Sequence, residues 1–161
     1  MYKELLARLR ERAAKKPKRI VYPEGTDPRI LRAARNVADT GMAKPLLIGS
    51  SAGISAAADQ AGVKLSGIEI AEPTMNRREH FAGILLPEWK ARGVTEVEAM
   101  SRLQDPLYFA AAMVRAGDAD GFVGGAATTT AATVRAAIHC IGLRPESSVV
   151  SSFFLMVLPE T

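Results

Sequence analysis

Cysteine is almost lacking from this sequence, which contains only Cys140 among its 161 residues. No disulfide can therefore form within the chain. Cys140 lies in an apolar stretch beside Ile138 and Ile141, so we expect a small buried hydrophobic side chain rather than a reactive thiol. A single thiol without a disulfide suits a reducing compartment, and we expect a cytoplasmic location.

Long hydrophobic runs are also lacking. No apolar run approaches the roughly 20 residues that a membrane-spanning helix needs. The first residues, MYKELLARLRERAAKK, are polar and amphipathic and lack the apolar block of a signal peptide. Glu4 and Glu11 argue against a transit peptide, which would be poor in acidic residues. We therefore expect no membrane partner.

Aromatic residues are few, at 6% of the chain, and this weighs against nucleic acid as a partner. The net charge is +4, and the main basic cluster surrounds Pro17, formed by Lys15, Lys16, Lys18 and Arg19. No aromatic side chains interleave with these cations, as stacking on a single strand requires. The cluster indicates a solvated connector, while the basic balance also fits small anionic substrates.

Metal ligands are scarce as well. His80 and His139 lie far apart, and neither is spaced with a Cys, Asp or Glu cluster as a metal site requires. His139 follows an apolar helical pattern, so we expect it to be packed. The order of the residues shows no serine, histidine and acid arrangement, so neither a metal nor a covalent nucleophile is predicted.

What the sequence does contain is an alternation of β-strand and helix patterns. With 48% hydrophobic and 24% charged residues, the chain can form one domain, or one domain and part of a second. Strands are predicted at 19–22, 45–48, 67–72, 119–125 and 147–159. Helices are predicted at 2–14, 27–41, 51–62, 76–91, 96–102, 105–117 and 129–140, with a break at Gly83 and Pro87 in the fourth. This alternation predicts an α/β fold, a mainly parallel sheet with flanking helices.

The segment DADGFVGGAATTTAATVRAA combines a strand, a glycine turn and a helix start. Ligands of parallel α/β sheets bind where strands end and helices begin. Two glycines allow close approach of the backbone, and hydroxyls near a helix N-terminus favour an anion. The candidate phosphate contacts are Gly124, Gly125, Thr128, Thr129 and Thr130, and Arg135 follows on the helix. Neither a P-loop nor a dinucleotide fingerprint is present.

The same spacing also fits a purely structural interpretation. In that case the glycines make a tight turn, the threonines cap the helix, and Arg135 forms an ion pair at the surface. Spacing alone leaves both interpretations open. A second candidate, Glu24 with Asp27 and Arg29, follows the first strand, and its functional interpretation is that these residues face the same cleft. Here the favoured interpretation is structural, with Asp27 capping its helix and Arg29 forming a salt bridge.

Several segments, in the same order and spacing, resemble the phosphate acetyltransferases, or phosphotransacetylases. They are KRIVYPEGTDPRILRAA, GMAKPLLIG, RGVTEVEA, DPLYFAAAMVRAGDADGFVGGA, TTTAATVRAAIHCIGLRP and SSFFLMVLPE. DPLYFAAAMV and IGLRP resemble most the members associated with ethanolamine utilization. The resemblance covers essentially the whole chain, although full members of the family are considerably longer, so it concerns their amino-terminal half.

This resemblance implies the reaction acetyl-CoA + phosphate = acetyl phosphate + CoA. Coenzyme A is then a substrate, no cofactor is held permanently, and a homodimer is expected. It also implies two α/β domains similar to the isocitrate and isopropylmalate dehydrogenase architecture. Residues 1–145 would form one wall of the active-site cleft, and 146–161 would begin the second domain.

The resemblance places the family's phosphate-binding arginine at Arg135, as a catalytic residue, and its substrate-facing loop at 124–130. Thr128 replaces a common histidine, and Ala132 replaces an acidic or amide residue. Trp89 stands where many members have a second arginine, for which Lys90 or Arg92 are possible substitutes. An Asp-Leu-Ser-Arg-Gly motif of the family is absent, so this chain is expected to be weakly active or inactive. Two alternatives are a non-catalytic phosphate-binding or assembly module, and a transferase for another acyl chain such as butyryl.

Overall fold

A parallel sheet of four strands organises the fold. The structure is a computed structural model that describes residues 2–151 and 156. All three strand pairings in this sheet are parallel, and the strand order is β3-β2-β1-β4. The strands are β1 (Lys18–Tyr22), β2 (Ala43–Ile48), β3 (Glu69–Ala71) and β4 (Gly121–Phe122).

Helices connect the strands, as parallel pairing requires. Those within the described residues are α1 (Tyr2–Lys15), α2 (Pro28–Asp39), α3 (Ser51–Ala61), α4 (Met75–Lys90), α5 (Glu96–Arg102), α6 (Pro106–Ala116) and α7 (Thr130–Cys140). The predicted α/β fold with a parallel sheet and flanking helices is thereby confirmed. The closer similarity to the dehydrogenase architecture stays a prediction.

The two faces of the sheet carry separate hydrophobic cores. Neighbouring residues of a strand point to opposite faces, and in β1 Val21 joins one core while Tyr22 joins the other. Helices α2 and α3 cover the Tyr22 face, and helices α4 to α7 cover the Val21 face. This arrangement leaves the carboxyl ends of β1, β2 and β4 at one edge of the sheet, where the candidate site lies.

Local sequence signals place most helix starts. Asp27 and Asp105 cap α2 and α6 through hydrogen bonds from the backbone N–H two residues on, and each is followed by proline. Thr95 and Glu98 form the predicted capping box at the start of α5. The observed bounds of α5, Glu96–Arg102, equal the predicted ones.

The predicted break in the fourth helix is wrong. Helix α4 runs without interruption through both Gly83 and Pro87. These two residues lie on its exposed side, whereas Phe81, Leu85 and Trp89 on the opposite side are buried. Proline removes one helical hydrogen bond, but here the freed carbonyl is that of Gly83, on the solvent side, and the buried side chains hold the helix together.

The predicted final strand at 147–159 is wrong in its first part. Residues 147–151 are exposed and belong to no strand. A strand needs a neighbour for its backbone hydrogen bonds, and none of the described strands pairs with this segment. Apart from Met156, the rest of the predicted strand lies outside the described residues. The predicted domain boundary at residue 145 stays a prediction.

Candidate active site

A cavity of about 400 Å³ opens at the carboxyl edge of the sheet. The segments that follow β1, β2 and β4 line it together with the start of α6, at 23–27, 48–49, 105–107 and 127–128. Binding sites of parallel α/β sheets lie at this edge. The topology therefore brings the two sequence candidates, the loop after β4 and the segment after β1, into one cavity wall.

The loop after β4 depends on its two glycines. A Cβ atom at Gly124 would lie 3.1 Å from Cδ2 of Leu107, closer than side chains normally approach. Gly125 has a φ angle of +108°, a backbone conformation that favours glycine. The loop then enters α7, where Oγ1 of Thr129 accepts a hydrogen bond from the N–H of Ala132 at 3.2 Å.

The carboxylate of Glu24 fills this loop. Its Oε2 accepts hydrogen bonds from the N–H groups of Gly125 (3.1 Å) and Ala126 (2.9 Å). Its Oε1 accepts from the N–H groups of Ala127 (2.6 Å) and Thr128 (2.8 Å), and from Oγ1 of Thr128 (2.9 Å). Partial burial raises the pKa of Glu24, but the hydrogen bonds outweigh it and hold the pKa below its ordinary value.

The loop is thus an anion-binding turn, and the anion it holds is a carboxylate of the protein itself. The contacts of Gly124, Gly125, Thr128, Thr129 and Thr130 with a substrate stay a prediction. The sequence analysis placed Glu24, Asp27 and Arg29 at the same cleft as this loop, and the cavity lining agrees for Glu24 and Asp27, but it predicted no contact between Glu24 and the loop. The signal available was topological, since β1 and β4 are neighbours in the sheet and both segments follow their carboxyl ends.

The structural interpretation of Asp27 and Arg29 is confirmed. Asp27 accepts a hydrogen bond from the N–H of Arg29 at 2.8 Å and forms an ion pair with its guanidinium at 2.6 Å. Hydrogen bonds from the side chain and the backbone of Arg29 lower the pKa of Asp27 to about 2. Arg29 also donates to the backbone oxygen of Ala126 at 2.5 Å, so this pair supports the same loop from outside.

Arg135 projects from α7 as an exposed guanidinium. The ion pairs and hydrogen bonds found among residues 2–151 include none to its side chain, so the ion pair of the structural interpretation is not observed there. His139 lies one turn later, and its Nδ1 is 2.9 Å from the hydroxyl oxygen of Tyr108. Arg135 is not among the residues that line the cavity, and its contact with a phosphate stays a prediction.

Two further arginines lie near His139. Partial burial, followed by the charges of Arg102, Arg92 and Arg135, lowers the pKa of its imidazole. The Cζ atom of Arg102 lies 5.6 Å from the ring centre of Trp89, a cation–π contact. Arg102 is brought near α7 by the packing of α5 on α4. No local sequence signal predicts this proximity.

Cys140 is buried, with 1% exposure, and burial raises the pKa of its thiol to about 12. The prediction of an unreactive, packed cysteine is thereby confirmed. Within the described residues, no group of three or more potential ligand side chains is arranged to hold a metal ion. None of the helices in that part of the chain is both long and apolar enough to span a bilayer.

Fold and site define an α/β protein with a candidate ligand cavity at the carboxyl edge of a parallel sheet. Comparison with protein families makes the assignment specific. Residues 4–161 match the phosphate acetyl/butaryl transferase family, and the chain belongs to that family. The resemblance drawn from the sequence is thereby confirmed.

Individual relatives agree with this assignment. The chain is 42% identical over 153 residues to a phosphate acetyltransferase of Escherichia coli, a match that covers 94% of this chain and 21% of the relative. It is 39% identical over 157 residues to a phosphate acetyltransferase of Acetivibrio thermocellus, covering 96% and 46%. The chain therefore spans between about a fifth and about half of the length of these relatives.

Solved structures are similar as well. A phosphotransacetylase from Streptococcus pyogenes has a TM-score of 0.86 at 31% identity, covering 92% of this chain and 45% of that one. The EutD phosphotransacetylase from Staphylococcus aureus has a TM-score of 0.77 at 31% identity, covering 91% and 44%.

Proposed function

We propose that this chain contributes one wall of the active site of a phosphate acetyltransferase, which moves an acetyl group between coenzyme A and inorganic phosphate. Membership of the family supports this function. The observation that carries it is the position of Arg135, on the helix that follows the glycine loop, with an exposed guanidinium that has no ion-pair partner among residues 2–151. A cation presented in this way suits the oxygens of a phosphoryl group.

In this proposal the catalytic residue is Arg135, which binds the phosphoryl group. The hydroxyls of Thr129 and Thr130 at the start of α7 complete the phosphate-binding wall. Gly124 and Gly125 let the loop backbone lie close to the substrate, while the N–H of Gly125 stays bonded to Glu24. The hydroxyl of Thr128 donates its proton to Glu24, and its lone pairs remain able to accept a hydrogen bond from a ligand.

The reaction is an attack of the coenzyme A sulfur on the carbonyl carbon of acetyl phosphate. A carbon–sulfur bond forms, the carbon–oxygen bond to phosphate breaks, and inorganic phosphate leaves with the electron pair. Negative charge develops on the leaving phosphate and on the carbonyl oxygen, and a fixed cation stabilises it more in the transition state than in the ground state. Arg135 supplies this stabilisation on the phosphoryl side.

The remaining groups, including the base that takes the thiol proton, belong in this proposal to the other wall of the cleft. Residues 1–145 form the wall described above, and 146–161 begin the second domain. The short share of the relatives that this chain covers supports such a division. Coenzyme A and phosphate act as substrates, and the complete enzyme is a cytoplasmic homodimer.

Calorimetric titration with inorganic phosphate tests the binding role of Arg135. We expect the purified chain to bind phosphate and the Arg135→Ala variant to lose at least about tenfold in affinity, because a charge-assisted contact is removed. Arg32→Ala removes the same charge from the exposed face of α2 and should bind normally. Equal phosphate affinity in Arg135→Ala and in the unaltered chain would show that Arg135 does not bind phosphate.

Assays of acetyl transfer test the division between the two walls. The chain alone should turn over acetyl phosphate and coenzyme A negligibly. Fusing it to the carboxyl-terminal remainder of the Acetivibrio thermocellus relative should restore activity, and Arg135→Ala should then reduce kcat/KM by about 100-fold or more. Rapid transfer by the 161-residue chain alone would contradict the proposal that the second wall is needed.

A further inference from the structure

Glu24 has an unusual set of partners for a side chain that lies in a cavity wall. Four consecutive backbone N–H groups, from Gly125 to Thr128, and one hydroxyl donate to its two carboxylate oxygens. Successive N–H groups that converge in this way form a concave anion-binding turn. In this protein the turn and its anion come from the same chain, 101 to 104 residues apart.

We propose that Glu24 is a positioning residue: its carboxylate holds the loop 124–128 in shape and keeps other anions out of it. An anionic substrate is then directed to Arg135 and the first turn of α7. This second step rests on the proposed function, whereas the first concerns the loop alone. Glu24 thereby acts on substrate specificity through the loop, without itself contacting the reacting atoms.

The surroundings of Glu24 favour a fixed carboxylate. The Asp27–Arg29 ion pair lies beside it at the start of α2, and Arg29 donates to the backbone oxygen of Ala126 in the same loop. Asp105, at the start of α6, lines the same cavity, but its carboxylate accepts a hydrogen bond from the N–H of Leu107 at 2.8 Å. Residues 125–128 themselves carry no titratable side chain.

Nuclear magnetic resonance of the unaltered chain tests both steps. The amide signals of residues 125–128 should move together as the pH falls, with one midpoint below the ordinary glutamate value of about 4.3. Added inorganic phosphate should leave the signals of residues 125–127 in place at neutral pH. Independent titration of the four amides, or a saturable shift of residues 125–127 with phosphate, would overturn the proposal.

A matched pair of variants adds a measurement of the loop itself. Glu24→Gln keeps the size of the side chain but leaves only one accepting oxygen, so hydrogen exchange at residues 125–128 should accelerate by about tenfold or more. Glu72→Gln is the control, because Glu72 accepts a hydrogen bond from the N–H of Ser51 at the start of α3; it should leave the amides of residues 125–128 unchanged. Equal exchange in Glu24→Gln and the unaltered chain would contradict the proposal.

These readouts separate the inference from the proposed function. If phosphate binds nowhere, the proposed function fails while the joint titration of the loop amides still supports the role of Glu24. Should Glu24→Gln fail to fold, the titration and the phosphate experiment on the unaltered chain decide the matter.

Discussion

The indole Nε1 of Trp89 donates a hydrogen bond to the backbone oxygen of His139 at 2.8 Å. This contact joins α4 to the last turn of α7, and Trp89 is 1% exposed. The resemblance to the family places an arginine at this position in many members. Here the position belongs to the hydrophobic core, and Arg102 packs on the indole ring.

Replacement of Trp89 tests how much the fold depends on this junction. Trp89→Phe removes the indole donor, leaves the carbonyl of His139 without its partner and creates a small cavity. We expect the free energy of unfolding to fall by roughly 2 kcal/mol, measured by urea denaturation followed by far-ultraviolet circular dichroism. Val97→Ala, at a side chain that is 80% exposed, should change it by less than about 0.5 kcal/mol. Equal stability of Trp89→Phe and the unaltered chain would show that the junction is not important.

The pKa of His139 reports on the cations around it. Burial and the charges of Arg102, Arg92 and Arg135 lower this pKa, so removing a cation should raise it. We expect Arg102→Gln and Arg135→Gln each to shift the imidazole titration to higher pH, as followed by proton magnetic resonance. The other histidine of the sequence, His80, serves as the reference signal. A titration of His139 that is the same in both variants and the unaltered chain would place these guanidinium groups away from it.

Acid should weaken the fold through Asp27. Its pKa is about 2 in the folded chain and about 3.9 in an unfolded one, so the folded state favours the ionised form. The stabilisation is therefore complete above about pH 4 and is lost as the pH falls towards about 2. Thermal unfolding across this window should show a smaller pH dependence in Asp27→Asn. The exposed Asp59→Asn on α3 is the control, and a loss of pH dependence in both variants alike would contradict the assignment to Asp27.

The sequence allowed the fold class to be predicted because its signals are local. Asp27 and Asp105 before proline, and the Thr95–Glu98 capping box, each determine a helix start within one turn. The continuity of α4 through Pro87 could not be predicted, because it depends on the burial of side chains such as Trp89 on the opposite face. Local pattern gives the elements, and tertiary packing decides whether an unfavourable residue interrupts them.

The candidate site was predictable only in part for the same reason. Gly124, Gly125 and the threonines mark an anion-binding turn in the sequence, and this turn exists. The carboxylate that fills it is contributed by Glu24 from a segment about 100 residues earlier, and no spacing rule connects the two. Knowledge of the strand order, which makes β1 and β4 neighbours, is what places them together.

Two glycines should respond to alanine in opposite directions. Gly125 has a φ of +108°, which an L-residue adopts only under strain, so Gly125→Ala should lower the free energy of unfolding by about 1–2 kcal/mol. Gly83 is helical, and a Cβ atom there meets no atom within 4 Å. Gly83→Ala should therefore raise stability by about 0.5–1 kcal/mol, because alanine loses less conformational entropy on entering a helix. Urea denaturation of both variants checks the pair, and a loss of stability in Gly83→Ala comparable to that in Gly125→Ala would show that backbone conformation does not decide the difference.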